Sequence, residues 1–340
     1  MSNRNFSLVS RSEHILASII DGTEYNIDNG IPLSRIELLL LELKGAISGT
    51  GNQNATFRGK DLTNTYTVDE MYEKIHSGTF KGLCLGDYFT VSITTDLYTR
   101  FVGESFTSGV TYYEMGGTVT DRTWTETEDA TPQSEKVYAT KQVVIENVDL
   151  MYAGFDYYYN MGDTPLTTHH AILIPKCSGL ITTDKMNATN TTEGGYYESD
   201  MHQIVLPCYA KSFKTALGGH VLAHRTYLSS AMNATTASRA GGGIKGSASA
   251  STWTETELQL MSEQQVYGTE VLTTAPYDIG IDYKKLPIFD VINPVQYCNG
   301  DFWLRTIGSS RWFAACFSTG FAGGKDAFNA NYVRPMILFG

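Results

Sequence analysis

The chain has 340 residues and a formal net charge of −11 at pH 7. Phosphate binding needs a basic face, and no run of Lys and Arg is longer than a pair, so the composition argues against a nucleic-acid partner. Hydrophobic residues make up 42% of the chain, enough for a core, whereas only 18% are charged. Together with abundant Gly, Tyr, Thr and Ser, this favours strands, turns and long ordered loops over a helical bundle.

The cysteines and the apolar runs set expectations about the compartment. An odd number of widely spaced cysteines with apolar neighbours is typical of buried thiols in a protein made in a reducing cytoplasm. The five are Cys84, Cys177, Cys208, Cys298 and Cys316. The N-terminus has no apolar signal core, and the longest apolar run, at 36–43, is interrupted by Glu37 and Glu42 and is too short to span a bilayer. We therefore expect neither signal-peptide secretion nor membrane insertion.

The first predicted element is a helix at 33–48, where Ser34 and Glu37 form a capping box ahead of apolar residues at helical spacing. Leu38 and Leu41 add apolar surface on other faces. Such a helix either docks on its own chain or packs with further copies of it, and both alternatives stay open. The polar stretch SGTGNQNA that follows is interpreted as a linker.

Further along, a capping box of Thr67 and Glu70 predicts a second helix that Gly78 can terminate. The alternating stretch GDYFTVSI at 86–93 predicts a half-buried strand, and residues 95–148 are strand-like. The hexapeptide TWTETE occurs twice, at 123–128 and 252–257. Because nothing else aligns at that offset, we infer no duplicated structure.

After residue 150, short apolar runs alternate with connections rich in Gly, Asp and Asn. Helical spacing predicts helices at 211–232 and 257–267, separated by a low-complexity, linker-like stretch at 238–251. The final seventy residues are predicted to alternate strands with long loops.

Histidines offer one candidate for a metal site. His220 and His224 are spaced i and i+4 on the predicted helix, as zinc ligands often are, and His169–His170 or His202 could add a third ligand. However, no Glu follows His220 as in the HExxH pattern, and Arg225 would lie beside a bound cation. Core or capping histidines are therefore the favoured interpretation.

Other chemical candidates are weaker. The Gly-Gly pairs lack the context of a phosphate-binding loop, and the alternating pairs Glu126/Glu128 and Glu255/Glu257 are better explained as solvated side chains. Cys316 is better explained as a buried thiol than as a nucleophile. We therefore predict no enzymatic activity, no cofactor and no metal.

The C-terminal block has an unusual composition. Residues 302–313, FWLRTIGSSRWF, contain a Gly-Ser-Ser turn flanked by aromatic residues and Arg. Phe recurs at positions 313, 317, 321 and 328. Gly320, Gly323 and Gly324 allow tight turns between them. This composition fits a hairpin that closes a core as well as a displayed recognition surface, and the residues alone leave both open.

Seven stretches carry a resemblance to known proteins: GDYFTVSI, AGFDYYYNMGDTPLTTHHAILIPK, MNATNTTEGGYYESDM, HVLAHRTYLSSA, LPIFD, DFWLRT and the terminal YVRP. Together they resemble proteins encoded by bacteriophages of gut Firmicutes, with C-type-lectin-like domains of the formylglycine-generating-enzyme-like branch. Phage tail-fibre adhesins and the variable proteins of diversity-generating retroelements share this fold. The resemblance covers about residues 80–94 and 150–340.

The resemblance implies an α+β fold, with a C-type-lectin-like domain at 53–340 and an N-terminal attachment and oligomerisation segment at 1–52. Residues 95–148 would be a β-rich insertion. The strands that frame the ligand-facing loops would contain Trp303, Arg305, Arg334 and Pro335. The implied ligand-binding residues are Thr306, Ser309, Arg311, Phe313, Phe317, Thr319, Phe321, Lys325, Asp326, Phe328, Asn329 and Asn331.

The function implied is that of a phage virion surface protein of tail-fibre, receptor-binding or head-fibre type, which binds a bacterial surface protein or glycan. Its other partners would be virion proteins and further copies of itself in a homotrimer, so that avidity strengthens weak single-site binding. The chain would be made in the host cytoplasm and displayed on the virion surface. The open alternatives are a purely structural capsid-decoration or tail component without a ligand and, third, an envelope-degrading enzyme.

Overall fold

The computed structural model describes residues 56–100, 112–115, 119–124, 137–176, 182–232, 248–269, 281–297 and 300–340. The chain divides into two units between Gly49 and Thr50, and every described residue belongs to the second unit. The predicted helix at 33–48 and the attachment segment at 1–52 therefore lie outside the described residues.

The larger sheet contains seven strands in the order β3-β2-β4-β5-β14-β9, and β1 also pairs with β4. These strands are β1 (Tyr88–Arg100), β2 (Tyr112–Met115), β3 (Val119–Trp124), β4 (Val137–Phe155), β5 (Ala171–Pro175), β9 (Leu258–Leu260) and β14 (Pro335–Phe339). All its pairings are antiparallel. Every residue of β5 and β14 is buried, so these two strands lie at the centre of the core. Each fully buried Leu or Ile there contributes about 1.5–3 kcal/mol.

A second sheet has five strands in the order β12-β11-β10-β13-β6. These are β6 (Thr183–Asp184), β10 (Phe302–Ile307), β11 (Trp312–Cys316), β12 (Ala322–Asp326) and β13 (Asn331–Tyr332). The pairing of β10 with β13 is parallel and the others are antiparallel. Separately, β7 (His224–Met232) and β8 (Ala248–Thr256) form a two-stranded antiparallel sheet.

In the described ranges, three short α-helices accompany the sheets: α1 (Val68–His76), α2 (Leu206–Ala216) and α3 (Glu263–Tyr267). A π-helical turn, Met201–Val205, leads directly into α2, and a 3₁₀ turn, Pro287–Asp290, precedes β10. The helix α2 packs against β1 and β9, whereas the 3₁₀ turn packs against β4. The described chain is thus mixed helix and sheet with strands predominating, as the α+β prediction requires.

Local signals located the first described helix correctly. The Oγ1 of Thr67 accepts the backbone N–H of Glu70, whose carboxylate accepts the N–H of Thr67, so the predicted capping box is confirmed. Gly78 follows the helix with φ +67°, as expected of a terminator. The strand predicted from GDYFTVSI is also confirmed, as the start of β1.

The helix predicted at 211–232 is wrong over most of its length. The helix begins earlier, at Leu206, and ends at Ala216, because Gly218 and Gly219 both adopt positive φ. The residues from His224 onward form β7 instead, since pairing with β8 satisfies their backbone groups. Local spacing cannot weigh such a long-range pairing against a helix.

The helix predicted at 257–267 is correct only in its second half. Leu258–Leu260 form β9, and Ser262 then caps α3 through a capping box with Gln265. In the stretch interpreted as a linker at 238–251, the residues from Ala248 belong to β8, whereas 238–247 lie outside the described residues.

The predicted insertion at 95–148 continues the larger sheet. β1 and the first half of β4 run side by side from Ile93↔Ile145 to Arg100↔Val137, and β2 pairs with the same end of β4. β3 pairs with β2 at the sheet edge. Within the described residues, the insertion is therefore built from strands that extend two strands of the main body.

The expectations of buried thiols and of no membrane-spanning segment can be compared with the described residues. Cys208 and Cys316 are buried cysteines, and Cys84 is a partly buried one. Cys177 and Cys298 lie outside the described residues. In the described part of the chain, none of the helices has the length and apolar character needed to cross a bilayer.

Two glycines with positive φ make a matched test of backbone crowding. At Gly195, φ is +71° and an added Cβ would lie 2.2 Å from the backbone oxygen of Ser229. At Gly219, φ is +88° and an added Cβ would meet no atom within 4 Å. We expect Gly219→Ala to lower the free energy of unfolding by about 1 kcal/mol, the conformational cost alone. We expect Gly195→Ala to cost about 2–3 kcal/mol, because the backbone must also shift.

Urea denaturation of both variants measures this difference. Equal losses at the two positions would show that the close approach of Gly195 to Ser229 carries no energetic penalty for a side chain.

Candidate functional site

The four residues that the resemblance assigns to the framework, Trp303, Arg305, Arg334 and Pro335, are all buried. The indole N–H of Trp303 donates to the backbone oxygen of Asp184 at 2.7 Å, which fastens β10 to β6. Arg334 donates to the backbone oxygens of Pro175 and Pro294 at 3.0 and 2.8 Å, and its guanidinium lies 4.9 Å from the ring centroid of Phe302.

Burial lowers the pKa of Arg334 to about 10, so its guanidinium remains charged at neutral pH. A buried cation bonded to carbonyl oxygens and facing an aromatic ring ties the start of β14 to the end of β5 and to the loop that contains Pro294.

Arg305 belongs to a buried polar network below the C-terminal block. Its guanidinium pairs with Asp282, and both side chains are fully buried. Asp282 also accepts hydrogen bonds from the hydroxyl of Tyr158 and, at 2.9 Å, from the side-chain amide of Gln265. Burial raises the pKa of Asp282, whereas the neighbouring Arg305 opposes that shift. The network fixes β10 to the segment before the 3₁₀ turn.

Four of the twelve predicted ligand-binding residues are buried, so their side chains support the strands and loops. They are Thr306, Ser309, Phe313 and Asn331. Thr306 Oγ1 accepts the backbone N–H of Glu263, and Ser309 Oγ accepts the N–H of Trp312 at 3.1 Å, which closes the Gly-Ser-Ser turn. Phe313 is fully buried in the core. These four side chains are therefore not part of an exposed binding surface.

Seven of the other eight fall into two groups at opposite ends of the β11–β12 hairpin. Because Trp312 pairs with Asp326 and Cys316 pairs with Ala322, the ends are four residue steps apart, about 13 Å at the usual rise of a strand. One group lies at the open end of the hairpin, and the other lies at its turn. The hairpin does not bring the two groups together into one contact site.

The open end of the hairpin carries what we name the Asp326 cluster: Asn190, Arg311, Trp312, Asp326 and Phe328, with Asn329 beside it. The Asp326 carboxylate accepts the indole N–H of Trp312 and, at 3.1 Å, the side-chain amide of Asn190. The guanidinium of Arg311 lies 3.5 Å from the same carboxylate and 5.2 Å from the Trp312 ring centroid. Phe328 is 42% exposed and the side chain of Arg311 is 51% exposed. Cationic, aromatic and polar groups thus converge on one exposed area.

The loop positions of the Asp326 cluster are held by the segment MNATNTT. The backbone N–H of Ala327 donates to Asn190 Oδ1 at 3.1 Å, and its carbonyl accepts the N–H of Met186 at 2.9 Å. Thr192 holds the Gly-Ser-Ser turn, since its hydroxyl donates to the carbonyl oxygen of Ser309 at 2.7 Å. The cluster is therefore presented on a backbone that is fixed from two sides.

The hairpin turn carries what we name the Phe317 cluster: Phe317, Thr319 and Phe321. The two Phe rings are stacked with centroids 4.8 Å apart, and Phe321 is 57% exposed. Gly320, between them, has φ +92° and lies against Asn293 and Val295. This cluster offers apolar contact area with few polar groups.

Lys325 is the remaining predicted residue, and its ammonium group is bound within the protein. It lies 2.7 Å from the carboxylate of Asp301 and donates to Asn331 Oδ1 at 2.9 Å. Burial opposes ionisation of Asp301, but hydrogen bonds from Lys325 and from the N–H of Ser318 outweigh it and lower the pKa of this carboxyl. The ammonium group of Lys325 therefore stabilises the sheet through Asp301 and Asn331, and its charge is largely neutralised before a ligand binds.

Sequence reasoning missed two members of the Asp326 cluster. Asn190 lies 136 residues before Asp326, and Trp312 was recognised only as part of the block's composition. The stretch MNATNTTEGGYYESDM was noticed for its resemblance, but nothing in its composition marks Asn190 as a partner of the C-terminal loops.

The histidine pair considered for zinc is not on a helix. His220 stacks on Tyr72, with ring centroids 3.7 Å apart, whereas His224 begins β7 and is buried against Tyr158. Burial lowers the pKa of His224 to about 3. Across the described ranges, no group of three or more His, Cys, Asp or Glu side chains is placed to hold a metal ion.

The chain was compared with known proteins at three levels. No protein-family model, no curated protein and no solved structure matches it.

Proposed function

We propose that the protein is a phage virion surface protein whose C-type-lectin-like domain displays the Asp326 cluster to the bacterial host. The ligand would be a surface protein or glycan of the bacterial envelope. The N-terminal segment would attach the domain to other virion proteins and assemble it into a homotrimer, which multiplies weak single-site binding by avidity.

The observation that carries the proposal is the composition and rigidity of the Asp326 cluster. Arg and Trp are enriched at binding hot spots, and here Arg311, Trp312 and Phe328 surround a carboxylate and an amide that can form hydrogen bonds with a ligand. Asp326 holds the Trp312 indole and the Arg311 guanidinium in place, so little side-chain entropy is lost on binding. The Phe317 cluster lacks these convergent polar groups.

Binding of purified protein to intact cells of candidate host strains tests this proposal. We expect the double variant Arg311→Ala with Phe328→Ala to bind at least about tenfold more weakly than the wild type, as removal of hot-spot side chains does. Both side chains are substantially exposed, so the variant should fold normally.

The double variant Thr319→Ala with Phe321→Ala is the matched control, since it removes equally exposed side chains at the other end of the hairpin. It should bind like the wild type. If this control loses binding and the first variant does not, the receptor surface lies at the hairpin turn. If neither the wild type nor the variants bind any strain while the wild type assembles with virion components, the purely structural role replaces the proposal.

A further inference from the structure

A groove of about 540 Å³ lies between the helical segment at 201–216 and the end of β8, apart from the Asp326 cluster. One wall is formed by the π-helical turn and the first turns of α2, and the other by the second TWTETE hexapeptide and Leu258. The lining residues are Tyr197, His202, Gln203, Leu206, Pro207, Ala210, Ala223, Thr254, Glu255, Thr256, Glu257 and Leu258.

His202 is a buried polar side chain that lines this groove. It is only 8% exposed, and its Nδ1 is enclosed by the protein with no partner within the described ranges. Since Nδ1 is enclosed and the residue lines the groove, Nε2 is the ring nitrogen that a ligand there could reach. Burial lowers the pKa of His202 to about 4, so at neutral pH the imidazole is uncharged and can exchange hydrogen bonds with hydroxyl groups.

His202 and Gln203 lie in the π-helical turn, where the backbone departs from α-helical geometry. π-helical turns occur frequently at functional sites. The side-chain amide of Gln203 donates to the backbone oxygen of Tyr197, and this bond leaves the amide oxygen of Gln203 as a hydrogen-bond acceptor at the groove.

The charge of the groove favours a cationic group on the ligand. Its wall contains the carboxylates of Glu255 and Glu257, and none of the lining residues is Lys or Arg. Glu257 pairs with Lys214, and Glu255 lies opposite Arg225 in the β7–β8 ladder. Because Arg225 also pairs with Asp163, three carboxylates share two cations here. An anionic ligand would therefore meet a net negative charge.

Apolar and aromatic surface completes the groove. The ring of Tyr197 lies 5.9 Å from the His202 ring, between centroids, and Leu206, Pro207 and Leu258 contribute aliphatic surface. A sugar ring offers both an apolar face for such surface and hydroxyls for His202, Gln203 and the threonines. A flexible polyamine offers charge and methylene groups but neither a ring nor hydroxyls.

We propose that this groove is a second binding site, which takes a saccharide bearing a free amine. The ammonium group pairs with Glu255, ring hydroxyls bond to His202 Nε2 and the Gln203 amide oxygen, and the apolar face of the sugar rests against Tyr197 and Pro207. This site is independent of the Asp326 cluster and does not depend on the function proposed for that cluster.

Calorimetric titration of the full chain with a glucosamine tetramer, at about pH 6, tests the proposal. We expect binding at least about tenfold tighter than that of the N-acetylated tetramer, which lacks the charge, and of spermidine, which lacks the ring. A galacturonate tetramer should not bind. Glu255→Gln should weaken binding of the glucosamine tetramer about tenfold, and Ala223→Phe should abolish binding by filling the groove.

Glu193→Gln is the matched control, since Glu193 is an exposed carboxylate that does not line the groove. It should bind the tetramer like the wild type, and so should the Arg311→Ala, Phe328→Ala variant. The proposal fails if the tetramer does not bind, if spermidine binds as tightly as the tetramer, or if Glu255→Gln leaves the affinity unchanged.

Discussion

Replacing Asp282 by Ala is expected to lower the free energy of unfolding by about 3–5 kcal/mol, because it leaves the buried guanidinium of Arg305 without its carboxylate. The substitution also removes the acceptor for the Tyr158 hydroxyl and for the side-chain amide of Gln265. Both charges of the pair are fully buried, so water cannot replace the lost partner. Urea denaturation at neutral pH measures the loss.

The exposed pair of Arg225 and Asp163 is the matched control. It has the same residue types, and two guanidinium nitrogens bond to the carboxylate at 3.1 and 2.5 Å, but about a third of each side chain is exposed. Asp163→Ala should therefore cost less than about 1 kcal/mol. If both variants lose the same stability, burial of the Arg305 pair makes no difference and the network is not what fixes β10.

Local sequence signals correctly predicted the elements whose formation depends on interactions between neighbouring residues. The capping box of Thr67 and Glu70 lies within one turn of helix, and the alternation in GDYFTVSI reflects one buried and one partly exposed face. The helix predicted through His220 and beyond failed for the opposite reason. There, helical spacing is outweighed by two other features. Two glycines adopt positive φ, and the residues that follow pair with β8 in a register that reaches Met232↔Ala248.

The candidate surface was only partly predictable. Exposed Arg311 and Phe328 could be anticipated from the composition of the block, but the burial of Phe313 and Asn331 depends on how β11 and β13 pair in the second sheet. The Asp326 hydrogen bond to Asn190 spans 136 positions, and no local pattern predicts it. Residues that share one stretch of sequence were assigned to one surface, whereas an antiparallel hairpin separates them to its two ends.

The buried polar network around Arg305 gave no signal in the pattern of residues. Asp282, Arg305 and Gln265 are charged or polar residues that composition alone would place at the surface. His202 and His224 are likewise buried, and the favoured interpretation as core histidines is correct for both. The network becomes recognisable only in the tertiary structure, whereas the buried histidines determine how stability depends on pH.

The protein is expected to lose stability steeply as the pH falls from 7 to 5. Burial lowers the folded-state pKa of His202 to about 4 and that of His224 to about 3, and it also lowers the pKa of His170. An unfolded His has a pKa of about 6.5, so below that pH the unfolded chain binds protons that the folded chain does not. The stabilisation is complete above pH 6.5 and is lost as the pH falls toward the folded values. His202 and His224 together should account for about 4 kcal/mol of loss by pH 5.

Comparison with the variant His224→Gln isolates one of these contributions. The raised pKa of Asp282 acts in the opposite direction, because that carboxyl binds a proton more readily in the folded chain, and it offsets part of the loss in the wild type. Since Asp282 is common to both proteins, the variant should lose about 2 kcal/mol less than the wild type between pH 7 and pH 5. Urea denaturation at both pH values gives the four free energies required. Parallel losses in the two proteins would mean that His224 takes up its proton without unfolding, and its burial would then impose no penalty on the charged imidazole.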